Sequence, residues 1–134
     1  MRKRLISLFV LVVFVFGMAS VVSAEGRWKW IFSNDNYGGY FDTETIKLDN
    51  TGVIDVWIKF INAYPDNKGI KEEIQNVHLY TNSRKYSIGY RSAYNKNGKV
   101  INYNDFKFSD LAVIIPGSDG EAIYNACYAY VHRY

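Results

Sequence analysis

The sequence predicts an α+β domain: a curved antiparallel β-meander of about six strands with one C-terminal helix packed on one face. Three observations carry that prediction. Twenty of the residues in 25–134 are aromatic, twelve of them Tyr, and many recur at alternate positions, the period of a pleated strand. Clusters of Asn, Asp and Gly punctuate the chain at short intervals and supply turns. Only one stretch, residues 122–131, changes to helical spacing. The length suits a single domain with its own core.

Residues 27–32 alternate Trp28, Trp30 and Phe32 on one face of a first strand. Asn34-Asp35-Asn36 and Gly38-Gly39 read as turn residues, with Tyr40-Phe41-Asp42 a short returning strand. After the turn at Asn50-Thr51-Gly52 comes the clearest strand, residues 53–61. It sets Ile54, Val56, Ile58 and Phe60 on one face, with Asp55, Trp57 and Lys59 on the other. Pro65, Asp66, Asn67 and Gly69 mark a loop. Residues 70–81 and 85–94 then form a long hairpin turning through Asn82-Ser83-Arg84. In its second arm, period two aligns Tyr86, Ile88, Tyr90 and Tyr94 against Ser87, Gly89, Arg91 and Ala93. Asn97-Gly98 is a tight-turn signal leading to a last strand over residues 100–103.

The helix opens at Pro116-Gly117-Ser118-Asp119-Gly120-Glu121. Ser118 and Glu121 have capping-box spacing, in which each side chain bonds the other's backbone N–H. Ile123, Ala126, Cys127 and Tyr130 form one apolar stripe, which predicts that the helix covers one sheet face.

Formal net charge is +3, but the excess has a location. Arg2, Lys3 and Arg4 precede an apolar run to Val22, and residues 1–24 contain no acid. Set apart, they leave thirteen basic residues against thirteen acidic ones, a neutral domain over residues 25–134. A basic start, an apolar run and small residues around Ala24 have the form of a secretory signal, with cleavage before Glu25. A retained anchor is the alternative; after cleavage no stable membrane span is expected. No cysteine stands near the cleavage point, so a lipoprotein is not expected. The product is read as secreted, periplasmic or at the cell surface. Cys127, the single cysteine, is read as an inert core thiol, with an intermolecular bridge as the alternative.

Catalytic signals are sparse, and the domain is read as non-enzymatic, without metal or other cofactor. His78 sits mid-strand and His132 near the helix end, neither with a local partner. No Gly-x-Ser-x-Gly stretch or phosphate-cradling glycine loop occurs. Two scattered histidines do not make a zinc site. Asp35, Asp42 and Asp49 read as turn residues and caps, and the adjacent Glu72 and Glu73 point to opposite strand faces. Binding is the better class. Arg84, Lys85, Arg91, Lys96 and Lys99 interleave with Tyr86, Tyr90 and Tyr94, and tyrosine gives rigid amphipathic contact area. Export makes nucleic acid an unsuitable partner. The candidate binding surface is Lys85, Tyr86, Arg91 and Tyr94; the competing reading makes Tyr86, Ile88 and Tyr90 core beneath the helix.

From Trp28 to Cys127 the chain resembles the surface-adhesin protein E-like family of small exported bacterial domains. The elements are RWKWIFS, YFDTETI, VIDVWIKF, RKYSIGYRSAY followed by NGKV, and IIPGSDGEAIYNACY, in that order. The resemblance implies a curved antiparallel sheet with a C-terminal helix, a cell-envelope location, contact with host matrix or plasma proteins, and a homodimer through the sheet. Two departures stand out. Many relatives pair the helix cysteine with a strand cysteine, where this chain has His78-Leu79-Tyr80-Thr81-Asn82. The lipid-anchor cysteine is also absent. The expected function is a non-catalytic, adhesin-like domain contacting host or matrix proteins or glycans. The alternative is a structural or accessory cell-envelope protein binding a partner of its own cell.

Overall fold

The computed structural model of the chain describes residues 26–104 and 109–134. The export signal expected over residues 1–24 lies outside them. One antiparallel sheet contains β1 (Trp28–Ser33), β2 (Tyr37–Asp42), β3 (Lys47–Leu48), β4 (Val53–Asn62), β5 (Glu72–Tyr80), β6 (Lys85–Tyr94), β7 (Val100–Asn104) and β8 (Ala112–Val113). Among the described residues a helix, α1 (Asp119–Val131), packs against it. Six strands run in the order β1-β2-β4-β5-β6-β7, while the two-residue strands β3 and β8 pair with β4 and β6. The class is α+β, as the aromatic alternation and the helical C-terminal stripe predict.

β4 shows how pattern becomes packing. Its alternation buries Ile54, Val56 and Ile58 completely and leaves Asp55, Trp57 and Lys59 half-buried on the far face. Each fully buried aliphatic side chain contributes roughly 1.5–3 kcal/mol. Helix α1 lies chiefly over β1, β2 and β4, lowering Ile123, Tyr124 and Cys127 onto Phe41, Ile54 and Ile58. The rings of Phe41 and Tyr130 meet edge to face at 5.3 Å. All three tryptophans project away from the helix: Trp28 and Trp30 lie at register with Asp42 and Tyr40, and Trp57 lies opposite Asn76. Trp57 is therefore outside the core, stacked on Tyr90 with centroids 6.4 Å apart.

Three local expectations are corrected. Gly38 and Gly39 lie inside β2 rather than in the turn, which is closed by Asn34 Oδ1 accepting from the N–H groups of Asn36 and Tyr37 at 2.8 and 2.9 Å. Glycine is needed at 39 because the Phe32 ring lies over it; a Cβ there would meet Phe32 Cε1 at 2.5 Å. At the helix start, Ser118 Oγ accepts from Glu121 N–H at 3.2 Å as expected. The Glu121 carboxylate instead accepts from Gly117 N–H at 3.2 Å, because the Ser118 N–H is spent on Ile115 O. The third correction is in β6. Its pairing steps from Val77↔Ile88 to Gln75↔Arg91, so Gly89 and Tyr90 together face Asn76. This β-bulge reverses the side-chain alternation beyond it.

Candidate functional site

The bulge decides where the predicted surface residues stand. Tyr86 pairs with Leu79 and packs against the core on the helix side, and Lys85 pairs with Tyr80 on the opposite face. Beyond the bulge, Arg91 joins Gln75 on the helix side, while Tyr94 pairs with Glu72 on the far side. Lys85, Tyr86, Arg91 and Tyr94 therefore do not form one patch. They split in two, and Tyr86 and Arg91 share the helix-side face.

That face is only partly covered, because α1 sits mainly over β1, β2 and β4. Over β5 and β6 a groove of about 210 Å³ opens, with Val77 and Leu79 as its floor. Tyr37, Phe60, Tyr86 and Ile88 form walls, and Asp119 and Gly120 of the first helical turn bound one end. The Tyr37 hydroxyl donates to the Asp119 carboxylate; that bond, with burial second, raises the phenol above its ordinary value of 10.0. Tyr37 thus stays neutral, and the carboxylate sits favourably at the helix N-terminus.

Further along β5 and β6 the lining becomes polar. Asp66 and Lys68 of the β4–β5 loop, with Glu73, Arg91 and Ala93, enclose a cleft of about 430 Å³. Arg91 donates to Glu73 Oε1 from Nε at 2.8 Å, with Nη2 at 2.7 Å, and Gln75 Nε2 donates to the same oxygen at 3.0 Å. Asp66 Oδ1 accepts from the N–H groups of Lys68 and Ile70, both at 2.9 Å, which shapes the loop forming the cleft's outer wall. Gln75 lines the groove and Glu73 the cleft, so the two spaces adjoin on neighbouring same-face positions of β5. An apolar slot next to a charge-balanced cleft suits a ligand with both apolar and polar parts. Sequence reasoning missed Tyr37, Gln75 and Asp119, because only the docked helix brings them together. Gly89 was the available signal for the bulge, since an isolated glycine within a strand pattern marks one.

The far face holds a row of different chemistry. Asp55, His78 and Ser87 are successive cross-strand partners on β4, β5 and β6. His78 Nε2 lies 3.7 Å from Asp55 Oδ1, and Asn76 Nδ2 donates to that same oxygen at 2.8 Å. His78 therefore has the partner that sequence alone did not supply. The order resembles a nucleophilic triad, but Ser87 is 1% exposed and its Oγ has no hydrogen-bond partner among the described residues. A working nucleophile must instead be bonded to its base and reachable. Among the described residues no group of three or more His, Cys, Asp or Glu is placed to hold a metal ion. No helix among them is long and apolar enough to cross a membrane.

The chain matches no protein-family model, no curated protein and no solved structure.

Proposed function

We propose that the chain is an exported, non-catalytic binding domain of adhesin-like type, contacting host or matrix proteins or glycans through the helix-side depression. One observation carries this reading: the bulge in β6 brings Tyr86 and Arg91 onto adjoining parts of the same face, one beside an apolar slot and one beside a polar cleft. Aromatic and arginine side chains are the residues that most often dominate binding surfaces. The resemblance to surface adhesins points the same way, and a secretory signal would deliver the domain outside the cytoplasm.

Immobilised matrix and plasma proteins and a glycan array, probed with the chain at low and physiological ionic strength, test the reading. Binding should weaken about tenfold or more for Tyr86→Ala with Arg91→Ala, and little for Lys85→Ala with Tyr94→Ala. Binding no greater than background at either ionic strength, or equal losses from both pairs, would remove it. The N-terminus of the exported protein should begin at Glu25.

A further inference from the structure

The sheet has two outer edges, and they are protected unequally. On the β1 side, an exposed Lys29 stands in the strand and the ladder to β2 is broken between Trp30 and Phe32. A lysine and a bulge are the usual devices that stop another strand from adding to an edge. On the opposite edge the β7 ladder to β6 is also broken, between Ala93 and Tyr94, but β8 carries no lysine and its ladder to β6 no irregularity. The outer side of β6 is paired in turn by β7, by Ser109 and by β8. β8 is bonded inward to β6, with Tyr86↔Ala112 and Lys85↔Val113 in register and Ile114 N–H donating to Arg84 O at 3.1 Å. Because backbone groups alternate in direction along an antiparallel strand, those of Leu111 and Val113 then point outward. No described strand pairs with that side.

The side chains repeat the message. Residues 111–115 read Leu-Ala-Val-Ile-Ile, with no charge, proline or glycine. Leu111, Val113 and Ile115 are 51%, 62% and 65% exposed, whereas Ile114 between them is 4% exposed. Three aliphatic side chains thus stand on one side of an edge that no described strand covers. Pro116 closes the site, since it has no N–H to offer, and Ile115 O is already taken by Ser118.

We propose that the outer edge of β8 is a strand-addition site for an extended segment of another protein, with apolar side chains at alternate positions and acidic residues at its ends. Main-chain hydrogen bonds to Leu111 and Val113 would supply affinity, and the aliphatic row the selection of side chains. The acidic ends follow from charge. Lys85, the cross-strand neighbour of Val113, has no ion pair among the described residues, and the exposed Arg84, which lies 4.6 Å over the Tyr124 ring, has a single ion pair among them, a 3.7 Å contact with Glu121. A second copy of this chain would add a second Arg84-Lys85 pair to the strip, so charge favours an acid-bearing partner over self-pairing. This inference is independent of the groove over β5 and β6.

The test titrates the full chain into a fluorescein-labelled seven-residue peptide of alternating valine and threonine with a glutamate at each end. Saturable binding is expected, weakened about tenfold or more by Val113→Lys or by N-methylation of alternate peptide amides. The Val113 amide should become protected from hydrogen exchange. Val113 is exposed, so Val113→Lys should keep the parent's thermal midpoint, and Tyr64→Ala, at an exposed residue of the β4–β5 loop, should bind the peptide normally. Peptide binding untouched by Val113→Lys overturns the proposal. So does a dimer of the parent chain that Val113→Lys dissociates, which would assign the edge to a second copy. Loss of vesicle binding in Val113→Lys, with no peptide binding by the parent, would assign it to lipid.

Discussion

Arg27 grips Asp42 through two parallel hydrogen bonds, Nε to Oδ1 at 2.9 Å and Nη2 to Oδ2 at 2.8 Å. Asp42 is 1% exposed and also accepts from Thr45 Oγ1 at 2.5 Å and from the Glu44 N–H at 3.1 Å. Burial pushes its pKa up, but the bonds from Arg27, Thr45 and Glu44 together outweigh burial and hold it below the ordinary 3.8. The folded value being the lower one, the stabilisation is complete above about pH 3.8 and is lost as pH falls through the folded value. Asp42→Asn should cost about 1.5 kcal/mol at neutral pH, the low end for charged hydrogen bonds because Arg27 is 42% exposed and screened. Its urea midpoint should fall less than the parent's between pH 4 and pH 2 (a window of about two units). Parallel curves for the two proteins would show that Asp42 does not carry the acid sensitivity.

Gly39→Ala should destabilise by about 1–3 kcal/mol, because the new methyl group displaces the Phe32 ring from its packing against Tyr37. Gly38→Ala is the control, its Cβ meeting nothing closer than 3.5 Å. Thermal denaturation of the pair should separate them, with Gly39→Ala melting lower.

The helix and the far face should respond differently to truncation. Ile123→Ala should cost about 2–5 kcal/mol and Phe41→Ala about 3–5 kcal/mol, since both sit in the buried cluster. Trp57→Ala, which removes a larger but half-buried side chain, should cost roughly half as much as Phe41→Ala. Urea midpoints at constant slope give all three.

Cys127 is completely buried, and burial pushes its thiol up to about 12. A thiol-specific reagent at pH 8 should leave the native protein unmodified and label it stoichiometrically in guanidinium. Cys127→Ser should destabilise more than Cys127→Ala, because a hydroxyl there is buried in apolar surroundings. Rapid labelling of the native chain would contradict the packing of α1.

Ser87→Ala should be neutral or stabilising by about 1 kcal/mol, because it removes a buried hydroxyl that has no hydrogen-bond partner among the described residues. A lower thermal midpoint would mean that the hydroxyl has a bonding role.

The fold was legible wherever packing follows a simple period. Ile54, Val56 and Ile58 announce their face in β4, and Ile123 and Cys127 announce the helix stripe, because burial on one side imposes the pattern. The candidate site was only half legible. Tyr86 and Arg91 attract notice by type, but period two assigns them to opposite faces, and a single extra residue at the bulge puts them on the same one. Gly39 misled for a related reason: its glycine serves a close approach by Phe32 from the neighbouring strand, which no local rule contains. The pairing of Tyr37 with Asp119 joins residues far apart in sequence and exists only after the helix has docked.

The placement of α1 over the first strands has a consequence for how the chain acquires its structure. Five successive antiparallel pairings join near neighbours in sequence, so the meander can zip up hairpin by hairpin as the chain lengthens. The helix cannot take part in that progression. Its Tyr130 must return across almost the whole domain to meet Phe41. A polypeptide made N-terminus first therefore carries an unroofed sheet until the last turn of α1 arrives, and the residues of that helix decide when the core is closed to solvent.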